Sequence, residues 1–352
     1  MRISKEWALN YLDLMSVSSA IMVTFLHANN CFWIFSATER YWKSANIIES
    51  IFYCAVPLFF MISGVTLMDY SKKYSTKTFV KKRMKKVMIP YVFWSLIGIF
   101  WTHYLFPWNG QKAVLSFKDI VAFLVNGNGI RYFWFFIPLF MIYISIPFLT
   151  SIDEKKRIKI FSGYVVLYLL INGLIPFFNS FFSLEWNTSS WAIPVMGGYL
   201  VYPLAGYVIH HSEFSKSQKR FIYCAGIISL IVMILGTYFS SIRIGAISEL
   251  FRGDKNLPCL LYSFSSFLFI KDIFPKIKRI DWFRKGIAFF RSYTFSIYLL
   301  QFFIFDWIER FSVVDQRSIL YRLYFPFVLC TFIVGITKFI RLFSLGRLVL
   351  PK

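Results

Sequence analysis

The sequence predicts an all-α fold: a polytopic membrane bundle of about ten transmembrane helices with both termini cytoplasmic. Three observations carry that expectation. Of 352 residues, 57% are hydrophobic, 21% aromatic and only 16% charged, with a mean hydropathy of +0.58; soluble domains carry about 25% charged residues. Apolar runs of about 17–23 residues, long enough to cross a hydrocarbon core of about 30 Å, recur along the whole chain. With the N-terminus placed in the cytoplasm, 28 of the 39 Lys and Arg residues fall on inside faces and 11 on outside faces, as the positive-inside rule requires.

The ten runs lie near 9–30, 48–69, 88–106, 132–150, 160–178, 193–210, 221–240, 257–274, 293–311 and 322–343. The first is span-length and lacks a small-residue cleavage pattern, so the mature chain is expected to begin near Met1. A net charge of +22 would suit nucleic acid, but the cations sit in short connections rather than on one amphipathic surface, which excludes that partner. Cys31, Cys54, Cys224, Cys259 and Cys330 show no paired spacing, so neither a disulfide framework nor a zinc site is expected. No His/Asp/Glu cluster has ligand spacing, and no metal is expected. With no internal repeat and no Gly/Ser linker, residues 1–352 read as a single membrane domain. The sequence carries no signal of oligomeric state.

In the first run, Asp13, Ser16, Thr24 and His27 fall within an arc of roughly 80° on a helix, with Asp13 and His27 about 21 Å apart along its axis. Ionisable residues inside a span are costly and usually face the bundle interior, where they mark chemistry or a pathway. His27 and Asp13 are therefore the candidate catalytic pair. Counting from residue 9, about 18 residues at 1.5 Å each carry His27 to the outer half of the bilayer.

The second run holds Val56-Pro57-Leu58-Phe59-Phe60-Met61-Ile62-Ser63-Gly64, where Pro57 loosens the helix and Gly64 permits close approach by a neighbour. A cytoplasmic basic stretch follows: Lys77, Lys81, Lys82, Arg83, Lys85 and Lys86, closed by Pro90 and Trp94. Topology alone needs fewer charges, so this concentration also suits anionic headgroups or a phosphorylated ligand. Arg83 is the best single candidate, because a planar guanidinium grips phosphate at two points.

Taken in order, several segments resemble the acyltransferase family 3 membrane proteins, which move acetyl or other acyl groups onto bacterial surface sugars. They are Leu12-Asp13 with the helix ending in His27; VPLFFMISG at 56–64; KKRMKKVMIP at 81–90; FWFF at 133–136 with Ile146-Pro147; Ala205-Gly206-Tyr207; and SYTFSIYLL at 292–300. The resemblance implies a multi-pass enzyme of the bacterial cell membrane, an O-acetyltransferase or longer-chain relative. Acetyl-CoA or another acyl-CoA is the implied donor, taken from the cytoplasmic side, and a surface or lipid-linked polysaccharide hydroxyl the acceptor. It also implies His27 as catalytic, and Arg83, Lys86 and Lys82 as donor-binding. A neutral imidazole suits the task, being able to deprotonate a hydroxyl or carry an acyl group.

The chain departs from the family pattern at three polar positions. Ser16 stands where an arginine is usual, Tyr132 where a histidine often precedes the FWFF-like segment, and Gln301 where a histidine commonly follows the late IYL motif. These three, with Trp134 and Trp186, are candidate acceptor or pore-lining residues. Two alternatives stay open: a polysaccharide exporter of the same superfamily, since ten spans with an interior polar stripe could guide a chain, and a non-catalytic membrane scaffold, suggested by the departures at Ser16, Tyr132 and Gln301. Glu185, Asn187 and Trp191 lie on an outside loop, Asp306 and Glu309 near the outer end of the ninth run, and His103, His210 and His211 near span ends.

Overall fold

Hydrocarbon offers no partner to a bare peptide group, so a chain of this composition satisfies its backbone internally by winding into helices. The computed structural model describes residues 9–107, 110–182, 184 and 198–352. Of the described residues 77% are helical, and none lies in a strand. Eight of the described helices are long and apolar enough to cross a bilayer, or nine if one bent pair is a single span.

In chain order the described α-helices are α1 (Tyr11–Ala28), α2 (Arg40–Phe52), α3 (Ala55–Leu67), α4 (Thr76–Arg83), α5 (Ile89–Phe100), α6 (Phe117–Asn126), α7 (Phe136–Thr150) and α8 (Glu154–Tyr168). There follow α9 (Ile175–Phe181), α10 (Val201–His211), α11 (Lys216–Ile244), α12 (Leu257–Ile277), α13 (Asp281–Phe290), α14 (Thr294–Phe311), α15 (Ile319–Ile340) and α16 (Ser344–Val349). Two expected spans differ in detail. Of the run at 193–210, residues 193–197 lie outside the described residues and α10 has 11 residues. Helix α14 carries Asp306, Glu309 and Arg310 toward its end and counts as a span only together with α13.

Prolines set four of the breaks. A proline has no N–H for the carbonyl four residues back, and its ring crowds that carbonyl. The gap between α2 and α3 begins at Tyr53, four residues before Pro57. Widened π-helical turns at Met84–Met88, Trp101–Leu105 and Leu169–Leu174 each contain the residue four before Pro90, Pro107 and Pro176 respectively. Pro147, Pro275 and Pro326 sit inside helices that continue through them.

The helices form two compact units, Met1–Val65 with Lys156–Thr294, and Thr66–Lys155 with Phe295–Lys352. In the first, α11 packs along α12, with Gly226 against Ser265. Helices α3 and α10 cross at their glycines: a Cβ on Gly64 would stand 1.8 Å from the Pro203 carbonyl oxygen, and one on Gly206 would stand 2.4 Å from that of Met61. Small residues at such a crossing let two backbones pack in van der Waals contact where no hydrophobic force holds helices together. Tyr11 Oη and His210 Nδ1 share a hydrogen bond of 2.6 Å that ties α1 to α10. In the second unit, α16 packs on α5, and Trp94 Nε1 donates to the Val349 carbonyl at 2.9 Å. Arg341 donates to the carbonyls of Leu350 and Pro351, each at 2.8 Å, and to Ser296 Oγ at 3.2 Å, which pins the C-terminal segment to α14.

The glycine crossing gives a direct test. Gly64→Ala sets a methyl against rigid backbone and should destabilise the protein by about 1–3 kcal/mol or more, read as a lowered melting temperature in detergent. Gly163→Ala, where nothing lies within 4 Å, should leave it unchanged; equal melting of both variants would contradict the close crossing.

Candidate active site

The polar stripe predicted on α1 exists, but its members are held differently. Asn10 Oδ1 accepts from the backbone N–H of Leu12 and Asp13 at 2.9 and 3.1 Å, and Asp13 Oδ2 accepts from the N–H of Asn10 at 2.9 Å. This reciprocal capping box satisfies the free donors that every helix start exposes. Asp13 Oδ2 also lies 3.6 Å from Arg291 Nη1. Ser16 donates to Thr294 Oγ1 at 3.4 Å, and buried Thr24 turns back onto the Ile21 carbonyl at 2.6 Å. His27 is half-buried in the last turn of α1. Asp13 and His27 therefore occupy opposite ends of one helix, the carboxylate engaged in starting it and the imidazole at its finish.

Beyond His27 the same unit holds a buried charge pair that sequence reasoning did not single out. Arg252 is 1% exposed and Glu49 4%, and Arg252 Nη1 donates to Glu49 Oε1 at 2.9 Å. Asn29 Nδ2 donates to Glu49 Oε2 at 3.2 Å and to the Ala45 carbonyl at 2.9 Å. The guanidinium carbon lies 4.5, 4.6 and 4.9 Å from the ring centroids of Phe32, Trp33 and Tyr53, an aromatic cage that offsets part of the cost of burying a cation. Nearby, the Tyr199 hydroxyl donates to the Asp254 carboxylate and that of Tyr202 to the Asp254 carbonyl. Burial holds the Asp254 carboxyl above the usual carboxylate range, against the lowering effect of Tyr199 and Lys255. A glutamate just inside an apolar run is the one signal the sequence offers for this cluster; its partner is 203 residues away.

In the second unit the predicted donor residues lie on α4 and the π turn after it. They do not point alike. Lys82 Nζ lies 3.8 Å from the centre of the Tyr74 ring, and Lys86 is exposed. Arg83 is half-buried beside an apolar cavity bounded by α4, the π turn and α7.

Of the three positions that depart from the family pattern, Tyr132 and Gln301 are packed within this unit, while Ser16 belongs to the first. Tyr132 is buried, its backbone carbonyl accepts from the Tyr298 hydroxyl, and Arg131 Nη2 reaches its own hydroxyl at 3.1 Å. Gln301 is fully buried; its Nε2 donates to the Tyr298 carbonyl at 3.5 Å, and its Oε1 has no hydrogen-bond partner. Trp134 is partly exposed, at 39%. Asp306 Oδ2 accepts from Trp101 Nε1 at 2.8 Å and from Arg310 Nε at 2.5 Å, and Glu309 Oε2 accepts from Arg131 Nη2 at 2.5 Å. Trp186, with Glu185, Asn187 and Trp191, lies outside the described residues.

The buried pair makes a sharp prediction. Arg252→Met strands the Glu49 carboxylate in an apolar setting and should cost about 3–5 kcal/mol, whereas the double change with Glu49→Gln should recover most of that loss. Thermal unfolding in detergent reads both variants; equal stability of the single and double changes would show that the pair carries no coupling.

The model of the acyltransferase 3 family, described as an acyltransferase domain, matches residues 9–340. No curated protein and no solved structure matches the chain. The family match runs through α1, both basic and aromatic segments and α14, over nearly the whole chain, and by it this multi-pass membrane protein belongs to the acyltransferase 3 family.

Proposed function

We propose that this membrane acyltransferase is an O-acyltransferase of the bacterial cell membrane, with acetyl-CoA or a related acyl-CoA as donor. The acceptor in this reading is a hydroxyl of a surface or lipid-linked polysaccharide. The observation that carries it is the placement of His27, a half-buried imidazole in the last turn of a capped transmembrane helix, within a chain of an acyltransferase family.

In this reading the donor contact belongs to the basic helix, where Arg83, Lys82 and Lys86 meet the phosphates of coenzyme A, since guanidinium and ammonium groups both suit such anions. The reacting imidazole in this reading is His27. His27 takes the proton of the acceptor hydroxyl as its oxygen attacks the thioester carbonyl; the carbon–sulfur bond breaks, and the departing thiolate leaves as the thiol with the proton that His27 held. Asp13 acts through the helix: it caps α1 and pairs with Arg291, so it fixes the inner end of the element that bears His27. Ser16, Tyr132, Trp134, Gln301 and Trp186 belong to the acceptor path. The uncharged side chains Ser16, Tyr132 and Gln301 suit a neutral hydroxyl acceptor better than a second anion.

His27→Ala should lower ester transfer to the glycan about 10²–10⁴-fold, the range of a positioned acid–base group, with protein level and melting temperature preserved. Undiminished esterification of extracted polysaccharide, read by mass spectrometry, would remove His27 from the reaction. Lys86→Gln should raise the donor KM about fivefold and leave kcat in place, as loss of one exposed charge contact does; an unchanged donor KM would move the donor elsewhere.

A further inference from the structure

The cavity beside Arg83 has a volume of about 390 Å³. Its walls include Phe79, Met84, Met88, Phe140, Ile144 and Phe148, and among the described residues Arg83 is the only charged side chain that lines it. Arg83 Nε is buried and has no hydrogen-bond partner. Its guanidinium carbon lies 5.9 Å from the Phe79 ring centroid and 5.7 Å from that of Tyr143. Ile144 and Phe148 are 59% and 74% exposed on a helix apolar enough to cross the membrane, so the cavity opens on the face that meets lipid.

We infer that this cavity holds one anionic phospholipid, its phosphate on Arg83 and part of one acyl chain among the apolar walls. A guanidinium with a buried, unused donor is costly and calls for an anion. Walls of methionine, isoleucine and phenylalanine beside it call for hydrocarbon. An anionic phospholipid presents both groups within a few bonds of each other. A coenzyme A thioester separates its phosphates from its acyl group by the pantetheine arm and does not offer both to one cavity. The surrounding Lys77, Lys81, Lys82, Lys85 and Lys86 raise the local concentration of anionic lipid, while only Arg83 lines the cavity. A lipid phosphate and a donor phosphate then exclude one another at this guanidinium, a consequence that rests on the donor reading above; the lipid site itself does not.

The test is lipid retention by the purified full-length protein, with no thioester present. The protein is reconstituted in an equal mixture of phosphatidylglycerol and phosphatidylcholine, re-extracted and examined by native mass spectrometry. Wild type should keep one phosphatidylglycerol in preference to phosphatidylcholine. Arg83→Gln should lower that retention about fivefold, the effect of one basic group on an anionic lipid. Ile144→Trp, which fills the mouth without altering charge, should also lower it, and the double change Lys77→Gln with Lys81→Gln should leave it near wild type. Equal retention of the two lipids, or loss in the lysine variant with full retention in Ile144→Trp, would reduce the site to a diffuse basic surface and overturn the inference.

Discussion

Everything in this molecule answers to one constraint: inside the bilayer no water is on hand to satisfy a polar group, so each needs a partner within the protein. The backbone meets it by helix formation, and where prolines interrupt the ladder the chain widens into π turns at Met84–Met88, Trp101–Leu105 and Leu169–Leu174. Side chains meet it in pairs and triads. Glu49 is held by Arg252 and Asn29, Asp306 by Trp101 and Arg310, and Asp272 by Lys219 and Tyr223.

The same constraint sorts polar residues into those that hold the scaffold and those offered to chemistry. Asp13, read from sequence as a catalytic partner, is engaged in a capping box and an ion pair, 14 residues from His27 on the same helix. The caged Arg252 and the paired Glu49 stabilise the end of the first unit nearest Asn29. Arg83, Arg252 and Gln301 are among the described side chains that keep a buried polar atom without a hydrogen-bond partner. An unmet donor or acceptor is expensive, and such atoms are natural places for a ligand to contribute what the protein leaves out.

Much of the architecture was legible in the chain. Span-length apolar runs marked the long helices, because the bilayer sets their length. Pro57 and Gly64 foretold a loosened helix and a close approach, and both are present, the break at Tyr53–Cys54 and the crossing with α10. The pattern Asn10-x-x-Asp13 is a capping signature, and Asp13 closes that box at the start of α1. Glu49 and Arg252 were out of reach for a simpler reason: nothing local links residues 203 positions apart. Likewise the basic run showed that anions are favoured there, but only the fold distinguishes Arg83, turned to an apolar cavity, from Lys82 on its tyrosine and Lys86 at the surface.

On the proposed reading, an acyl group enters at the cytoplasmic basic stretch and leaves on a sugar hydroxyl at the outer face, toward which His27 is expected to stand. Sealed proteoliposomes of oriented protein, with polysaccharide enclosed and labelled acetyl-CoA added outside, test it most directly. With the basic face outward, the account predicts label in the lumen as an alkali-labile ester on the glycan. No label on the enclosed glycan, together with labelling of glycan supplied on the donor's own side, would contradict it.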